Sequence, residues 1–252
     1  MNEKEIKQKV FEHWENDNVE SMYDKHLISL EIELISQLIQ NDKEILDAGC
    51  GEGEGTLVYS KISGSNILGA DYSPTRLKKA KERLSHQANV EFRQVDFLEK
   101  LPFDQKFDVI VSQRFLINLF NWKNQSETIS KLISLLNPGG ELIMLEGSKD
   151  GVNELNEVRS RFGLDPIPIP WHNEFFDDSQ LETFIKEQSM TLKLKSGLGA
   201  YFLLTRGVRP YFDKELNWDA EYNQIASGLS SSEMSMISDR FSRLRLWHFK
   251  QQ

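Results

Sequence analysis

Residues 45–55 read ILDAGCGEGEG, a short apolar run followed by glycine at every second position. The apolar run is typical of a buried strand, and glycine after it lets the backbone turn tightly and lets a ligand approach without meeting a Cβ atom. A plain turn from strand to helix needs only one glycine. Four glycines within seven residues, preceded by Asp47, therefore favour a ligand-binding turn; they are Gly49, Gly51, Gly53 and Gly55.

The rest of the chain alternates between short apolar runs and amphipathic stretches. Further strands are predicted at 66–73, 89–97, 107–113, 141–148, 190–196 and 242–250, with helices at 54–63, 74–85, 124–136 and 178–188 and a turn at 137–140. Strands that alternate with helices form right-handed βαβ units and a parallel sheet. We therefore predict an α/β fold with a Rossmann-like, seven-stranded, mostly parallel sheet, helices on both faces and an antiparallel last strand.

The chain is predicted to form a single domain over residues 1–252 with three parts. Two amphipathic helices, at 4–15 and 25–40, make residues 1–40 an N-terminal helical cap, and residues 41–146 form the ligand-binding core. The alternation breaks after Glu146. Residues 147–252 are interpreted as the substrate side, with a loop rich in Gly, Pro and aromatic residues up to 175 and an insertion with helical pieces before the last strand.

Acidic residues follow the next two strands in order. Asp71 ends the second predicted strand, where a carboxylate can accept hydrogen bonds from both hydroxyls of a ribose. Asp96 and Phe97 end the third, where an acid and an aromatic ring can frame an adenine. Each acid alone would more often be a solvated strand-end residue, so the hypothesis depends on their order after the glycine turn. The G-x-G-x-G spacing differs from the dinucleotide fingerprint, yet an NAD-dependent oxidoreductase on the same sheet stays an alternative.

Together these motifs resemble the class I S-adenosylmethionine-dependent methyltransferases. The resemblance covers residues 40–146 and rests on ILDAGCGEG, LGADYS, VDFLEKLPF, FDVIVSQ and LLNPGGELIMLE. It implies S-adenosyl-L-methionine as the cofactor and methyl transfer to an oxygen or nitrogen of a small-molecule acceptor, with a sugar or polysaccharide precursor as one candidate. A protein or RNA methyltransferase also stays open, as does a module that binds the cofactor without catalysis.

The resemblance also implies which residues contact the cofactor. The glycine turn would lie near its methionine half, Asp71 would bind the ribose, and Tyr72 would pack on the adenine. Asp96 and Phe97 would read the adenine edge, and Tyr23, in the predicted cap, would close the site or simply pack between helices. The expected cofactor residues are Tyr23, Asp47, Gly49, Gly51, Asp71, Tyr72, Asp96, Phe97 and Gln113.

The acceptor is expected beyond the carboxyl ends of the strands. Arg114, just after the fourth strand, could hold a carboxylate or phosphate in a bidentate manner, although a surface ion pair is the common role of a single arginine. Asn118 could bind a substrate hydroxyl, and Trp171 could help to exclude water. His172 is the candidate general base, because imidazole takes up a proton near neutral pH. A lone histidine is more often structural.

Composition limits the partners. The chain has 30 Lys and Arg against 39 Asp and Glu, and the net charge of -9 opposes sequence-independent binding of nucleic acid. We therefore predict a small-molecule acceptor, no nucleic acid and no membrane partner, and leave the oligomeric state open. The single cysteine, Cys50, allows no intrachain disulfide and the first residues lack the apolar core of a secretory signal, so a cytoplasmic location is expected. No His, Cys and carboxylate cluster has metal-ligand spacing, so no metal is expected.

Overall fold

The computed structural model describes residues 3–16, 18–20, 22–215, 217–232 and 238–252. One sheet in this part of the chain is formed by seven strands: β1 (Glu44–Ala48), β2 (Asn66–Asp71), β3 (Val90–Gln94), β4 (Phe107–Gln113), β5 (Leu136–Gly147), β6 (Met190–Gly197) and β7 (Leu244–Gln251). Their order is β3-β2-β1-β4-β5-β7-β6. The first five pair in parallel, whereas β7 is antiparallel to both β5 and β6. The predicted sheet is confirmed, including its antiparallel last strand.

Helices cover both faces of the sheet. They are α1 (Glu3–Glu15), α2 (Lys25–Ser36), α3 (Glu54–Tyr59), α4 (Pro74–Arg83), α5 (Trp122–Ser134), α6 (Lys149–Arg161), α7 (Asp178–Glu187), α8 (Gly199–Phe202), α9 (Arg209–Phe212) and α10 (Glu221–Ser232). Successive side chains of a strand point to opposite faces. Leu46 therefore belongs to the core that includes α5 and α7, while its neighbour Ile45 belongs to the core that includes α2 and α3.

Three segments differ from the sequence-based prediction. The segment after Glu146, interpreted as a loop, contains α6, whose N-cap Ser148 accepts a hydrogen bond from the amide of Gly151. Val152 and Leu155 are the buried residues of this helix's apolar stripe, and the glycine in its first turn hid that periodicity. The turn predicted at 137–140 lies within β5, and β3 ends at Gln94, two residues before Asp96. Residues 1–2, 17, 21, 216 and 233–237 of the predicted cap and insertion lie outside the described residues.

Candidate functional site

A cavity of about 460 Å³ opens where β1, β2 and β4 end. Its walls come from the glycine turn after β1, the ends of β2 and β4, helices α1 and α2, and residues of the substrate side, including His172 and Phe202. Ligands of open α/β sheets bind beyond the carboxyl ends of the strands, and small-molecule sites typically have volumes of about 300–1,000 Å³. Position and size therefore both identify this cavity as the candidate site.

The glycine turn contacts the cavity through its backbone. Gly49 and Gly51 have φ angles of +74° and +53°, in the left-handed region that side chains rarely adopt. A Cβ atom on Gly49 would lie 2.3 Å from the Cβ of Phe115, so the loop after β4 packs directly on this glycine. A Cβ atom on Gly51 would meet no atom within 4 Å. Gly49 thus makes room for Phe115, whereas the space beside Gly51 is open to the cavity.

Asp71 ends β2 beside this turn. Its Oδ2 accepts a hydrogen bond from the amide of Gly51 at 2.8 Å, and its Oδ1 accepts one from the amide of Ser73 at 2.9 Å. Burial raises the pKa of Asp71, although both backbone hydrogen bonds favour the charged form. These backbone hydrogen bonds hold the carboxylate in one orientation at the edge of the cavity.

Asp47 lies deeper, at the end of β1. Its Oδ2 accepts a hydrogen bond from the Oγ1 of Thr56 at 2.6 Å, and the residue is almost fully buried. Burial raises the pKa of Asp47 to about 6, and the nearby carboxylate of Asp71 contributes to the rise. Two neighbouring carboxylates on one wall give this half of the cavity a preference for a ligand with a positive centre.

Helix α1 covers the far edge of the same half. The Nζ of Lys7 lies 2.7 Å from the Oδ2 of Asp96, and the ring of Phe11 meets Tyr72 edge to face at 4.8 Å between centroids. Phe97 is buried and packs against Phe115 at 4.7 Å between ring centroids. The acid and aromatics predicted to read an adenine therefore all border the cavity, with one oxygen of Asp96 already paired to the covering helix.

The end of β4 pairs with a buried acid that the sequence analysis did not single out. Glu31 on α2 has no exposed surface; its Oε2 accepts a hydrogen bond from the Nε2 of Gln113 at 2.6 Å and lies 2.9 Å from the Nε of Arg114. Burial raises the pKa of Glu31, and the charge of Arg114 opposes that rise. Arg114 lines the cavity, but its guanidinium is engaged with a carboxylate of the protein itself. The only signal in the sequence was a charged residue on the apolar face of a helix.

The loop after β4 and the segment after α6 both bring polar groups to the cavity. Asn118 donates to the carbonyl of Arg114 at 2.7 Å and accepts from the Nδ2 of Asn173 at 2.9 Å. The ring of His172 stacks on His13 at 4.4 Å, and its Nδ1 is buried with no hydrogen-bond partner among the described residues. Burial, and then the charges of His13 and Arg243, lower the pKa of His172 to about 4.

The structure brings all but one of the predicted site residues to this cavity. Trp171 is the exception: its side chain is 60% exposed and does not line the cavity, although its ring meets that of His172 at 5.4 Å. Three arginines that the sequence did not single out also line it: Arg76, Arg206 and Arg243. Arg206 comes from a segment without a recognisable pattern, and Arg243 lies in the predicted last strand, whose alternation does not indicate which of its residues would reach the cavity.

A model of a methyltransferase domain family matches residues 39–182. The chain is also similar to the ubiquinone/menaquinone biosynthesis C-methyltransferase UbiE of Azotobacter vinelandii, with 32% identity over 137 residues. That alignment covers 52% of this chain and 53% of the relative, so the chain spans about half the length of the curated relatives it matches.

Solved structures share the fold over nearly the whole chain. The N-methyltransferase NodS from Bradyrhizobium japonicum, in complex with S-adenosyl-L-homocysteine, superposes with a TM-score of 0.59 at 15% identity, covering 98% of each chain. The cyclase SpnF has the same TM-score and identity and covers 98% of this chain and 92% of its own. Because the names of these two proteins describe different reactions, this likeness shows the fold and does not by itself select an activity.

Among the residues that the structure describes, no group of three or more His, Cys, Asp and Glu side chains is placed to hold a metal ion. Over the same residues, no helix has both the length and the apolar character needed to cross a membrane.

Proposed function

We propose that this chain, which belongs to the methyltransferase domain family, transfers a methyl group from S-adenosyl-L-methionine to a small-molecule acceptor. The match over residues 39–182 confirms the family predicted from the sequence motifs and favours methyl transfer over hydride transfer with NAD. The observation that carries the proposal is the meeting of Gly51 and Asp71 at one cavity, where an open backbone position lies beside a preoriented carboxylate.

The described residues fit this cofactor. The space beside Gly51 admits a ligand to the backbone, and the preoriented carboxylate of Asp71 offers an acceptor to the hydroxyls of a ribose. Asp47 adds negative charge where the positive centre of the cofactor would lie, while Tyr72 and Phe97 offer rings to the adenine. When bound, the cofactor supplies a methyl group on a sulfonium, which is a good leaving group.

We infer a small-molecule acceptor from the form of the cavity. Most of its exposed lining is apolar, with side chains such as Leu27, Phe175 and Phe202, and the polar groups stand among them, as in sites that enclose small ligands. The sequence favours an oxygen or nitrogen as the methyl acceptor, and the name of the UbiE relative adds carbon as a candidate. Positioning of the acceptor against the sulfonium methyl contributes most of the rate acceleration in this proposal.

His172 has a limited part in the proposed mechanism. An imidazole with a pKa of about 4 is neutral at pH 7, so it can accept a hydrogen bond, but it is a weak base there. We propose that its buried Nδ1 forms a hydrogen bond that orients an acceptor hydroxyl or amine. An acceptor that loses its proton readily does not need His172 as a base.

The test is binding followed by methyl transfer. S-adenosyl-L-homocysteine and NAD are each titrated into the protein in separate calorimetric experiments. We expect S-adenosyl-L-homocysteine to bind and NAD not to bind. Asp71→Asn keeps the shape of the side chain but removes its charge, and we expect roughly ten- to hundredfold weaker binding, since hydrogen bonds to a charged group contribute about 1.5–3 kcal/mol.

Incubation with methyl-labelled S-adenosyl-L-methionine and fractionated metabolites, followed by mass spectrometry, then identifies the product and the methylated atom. Binding of NAD without binding of S-adenosyl-L-homocysteine would overturn the proposal. Cofactor binding with no labelled product in any fraction would favour a module that binds without methyl transfer.

A further inference from the structure

Two arginines from outside the matched family segment line the cavity together. Arg206 lies on a π-helical turn (Leu203–Val208) and Arg243 immediately precedes β7, so both fall beyond residue 182. Single π-helical turns occur frequently at functional sites. The family match therefore assigns no role to these two side chains. Evidence for a role comes from the contacts that they make in the structure.

Arg206 is only partly paired. Its Nη2 lies 2.5 Å from the Oδ2 of Asp24, which also accepts a hydrogen bond from the hydroxyl of Tyr201 at 2.9 Å. Its Nη1 is buried and has no hydrogen-bond partner among the described residues. The guanidinium carbon lies 4.0 Å from the ring centroid of Trp218. A buried donor of a charged group without a partner costs free energy that a bound acceptor group would recover.

Arg243 has no acidic partner in the part of the chain that the structure describes. Its guanidinium lies 5.3 Å from the ring centroid of Phe175, a residue that also lines the cavity. Burial, and then the positive charge of Arg206, lower the pKa of Arg243 to about 10, so it stays charged at neutral pH. The two cations are close enough for the charge of Arg206 to disfavour that of Arg243, and of the pair Arg206 alone has an ion pair among the described residues, with Asp24. This wall therefore keeps a net positive charge.

We propose that Arg206 and Arg243 bind a carboxylate or phosphate of the acceptor, which makes the acceptor a small anionic molecule with an apolar body. The inference rests on the proposed function, since it specifies the acceptor of that reaction. A planar guanidinium can donate two parallel hydrogen bonds to two oxygens of a carboxylate or a phosphate. The rings of Phe175 and Trp218 give an apolar body a surface to pack on. The role that the sequence analysis gave to Arg114 thus moves to these two residues, because Arg114 already pairs with Glu31.

The experiment uses three aromatic probes of similar size: benzoate, phenyl phosphate and neutral benzamide. Each is titrated into the full chain saturated with S-adenosyl-L-homocysteine, with binding followed by protein-observed NMR. Both anions are expected to bind at least roughly tenfold more tightly than benzamide. The anion with the higher affinity shows whether the site prefers a carboxylate or a phosphate.

Arg243→Gln is the decisive variant. Arg243 has no acidic partner among the described residues, so its replacement leaves no carboxylate of the protein without its cation. It is expected to weaken the preferred anion roughly ten- to hundredfold while leaving the affinities for benzamide and S-adenosyl-L-homocysteine unchanged. The matched control is Arg93→Gln, since Arg93 also lies over a phenyl ring, 5.7 Å from the centroid of Phe103, but does not line the cavity.

The outcomes separate the two proposals. Equal binding of all three probes, or an Arg243→Gln variant that binds the anions like the wild type, overturns the anionic acceptor. Weaker binding of S-adenosyl-L-homocysteine by Arg243→Gln also overturns it, because the arginine then holds the cofactor. Anion binding that depends on Arg243 in a protein that does not bind S-adenosyl-L-homocysteine leaves the anion site standing and contradicts the proposed function instead.

Discussion

Alanine substitutions at Gly51 and Gly49, in the same turn, are expected to affect different properties: Gly51→Ala mainly lowers the affinity for the ligand, and Gly49→Ala mainly lowers the stability of the fold. Both positions have positive φ, where a residue with a Cβ costs about 1–2 kcal/mol relative to glycine. For Gly51→Ala this is the whole expected loss of folding stability, since the new methyl group meets no protein atom within 4 Å. The methyl group instead occupies the open space beside Gly51 in which we propose that the cofactor binds. An overpacking cost of about 1–3 kcal/mol corresponds to a roughly 5- to 150-fold loss of affinity for S-adenosyl-L-homocysteine.

Gly49→Ala places the same methyl group inside the protein. Its Cβ would lie 2.3 Å from the Cβ of Phe115, so a packing cost of about 1–3 kcal/mol adds to the backbone cost, for a total of about 2–5 kcal/mol. Urea unfolding measures the stability of each variant, and calorimetric titration measures its affinity. The reasoning is refuted if Gly51→Ala binds S-adenosyl-L-homocysteine with the affinity of the wild type, or if the free energy of unfolding of Gly49→Ala is no lower than that of Gly51→Ala.

Two further predictions concern groups buried around the cavity. Glu31→Gln leaves the charge of Arg114 without its carboxylate, and breaking a buried pair from one side typically costs about 3–5 kcal/mol, which urea unfolding will measure. His172→Asn tests a pH effect: the folded pKa of about 4 lies below the ordinary 6.5, so the unfolded chain takes up a proton first as the pH falls. Between pH 6.5 and 4 the wild type should therefore lose more stability than His172→Asn, as thermal unfolding across that window will show.

Each of these has a matched control. Glu33→Gln changes an exposed acid on the same helix and is expected to leave the free energy of unfolding within about 0.5 kcal/mol of the wild type. A Glu31→Gln variant as stable as Glu33→Gln would contradict the buried pair. For the histidine, parallel stability curves for wild type and variant would show that the imidazole titrates as freely in the folded state as in the unfolded one.

The sequence specified the features that depend on local patterns. The strands, the turn at Gly49 and Gly51 and the acid at Asp71 are all encoded within a few residues, through periodicity, backbone freedom and position at a strand end. The contacts of Glu31 and Arg114 could not be predicted in this way. All four strands from β1 to β4 lie between them in the chain, and their pairing depends on where α2 packs over the sheet.

The substrate side was the least predictable part for the same reason. Arg206 and Arg243 reach the cavity only because a π-helical turn and the start of β7 pack near the end of the sheet, and neither segment carries a motif. The glycine at 151 concealed α6, since its first turn lacks the apolar spacing by which a helix is recognised.

The strand order has a consequence for how the chain assembles. β7 is last in sequence, yet it lies between β5 and β6, and β6 pairs with the sheet only through it. Roughly 100 residues separate the paired segments of β5 and β7, so this closure carries a large loop-entropy cost and is expected to be slow. The parallel half that presents the glycine turn has shorter-range pairings available to it. Folding is thus expected to assemble the wall that carries the glycine turn first, and to bring Arg243 to the cavity only when β7 has docked.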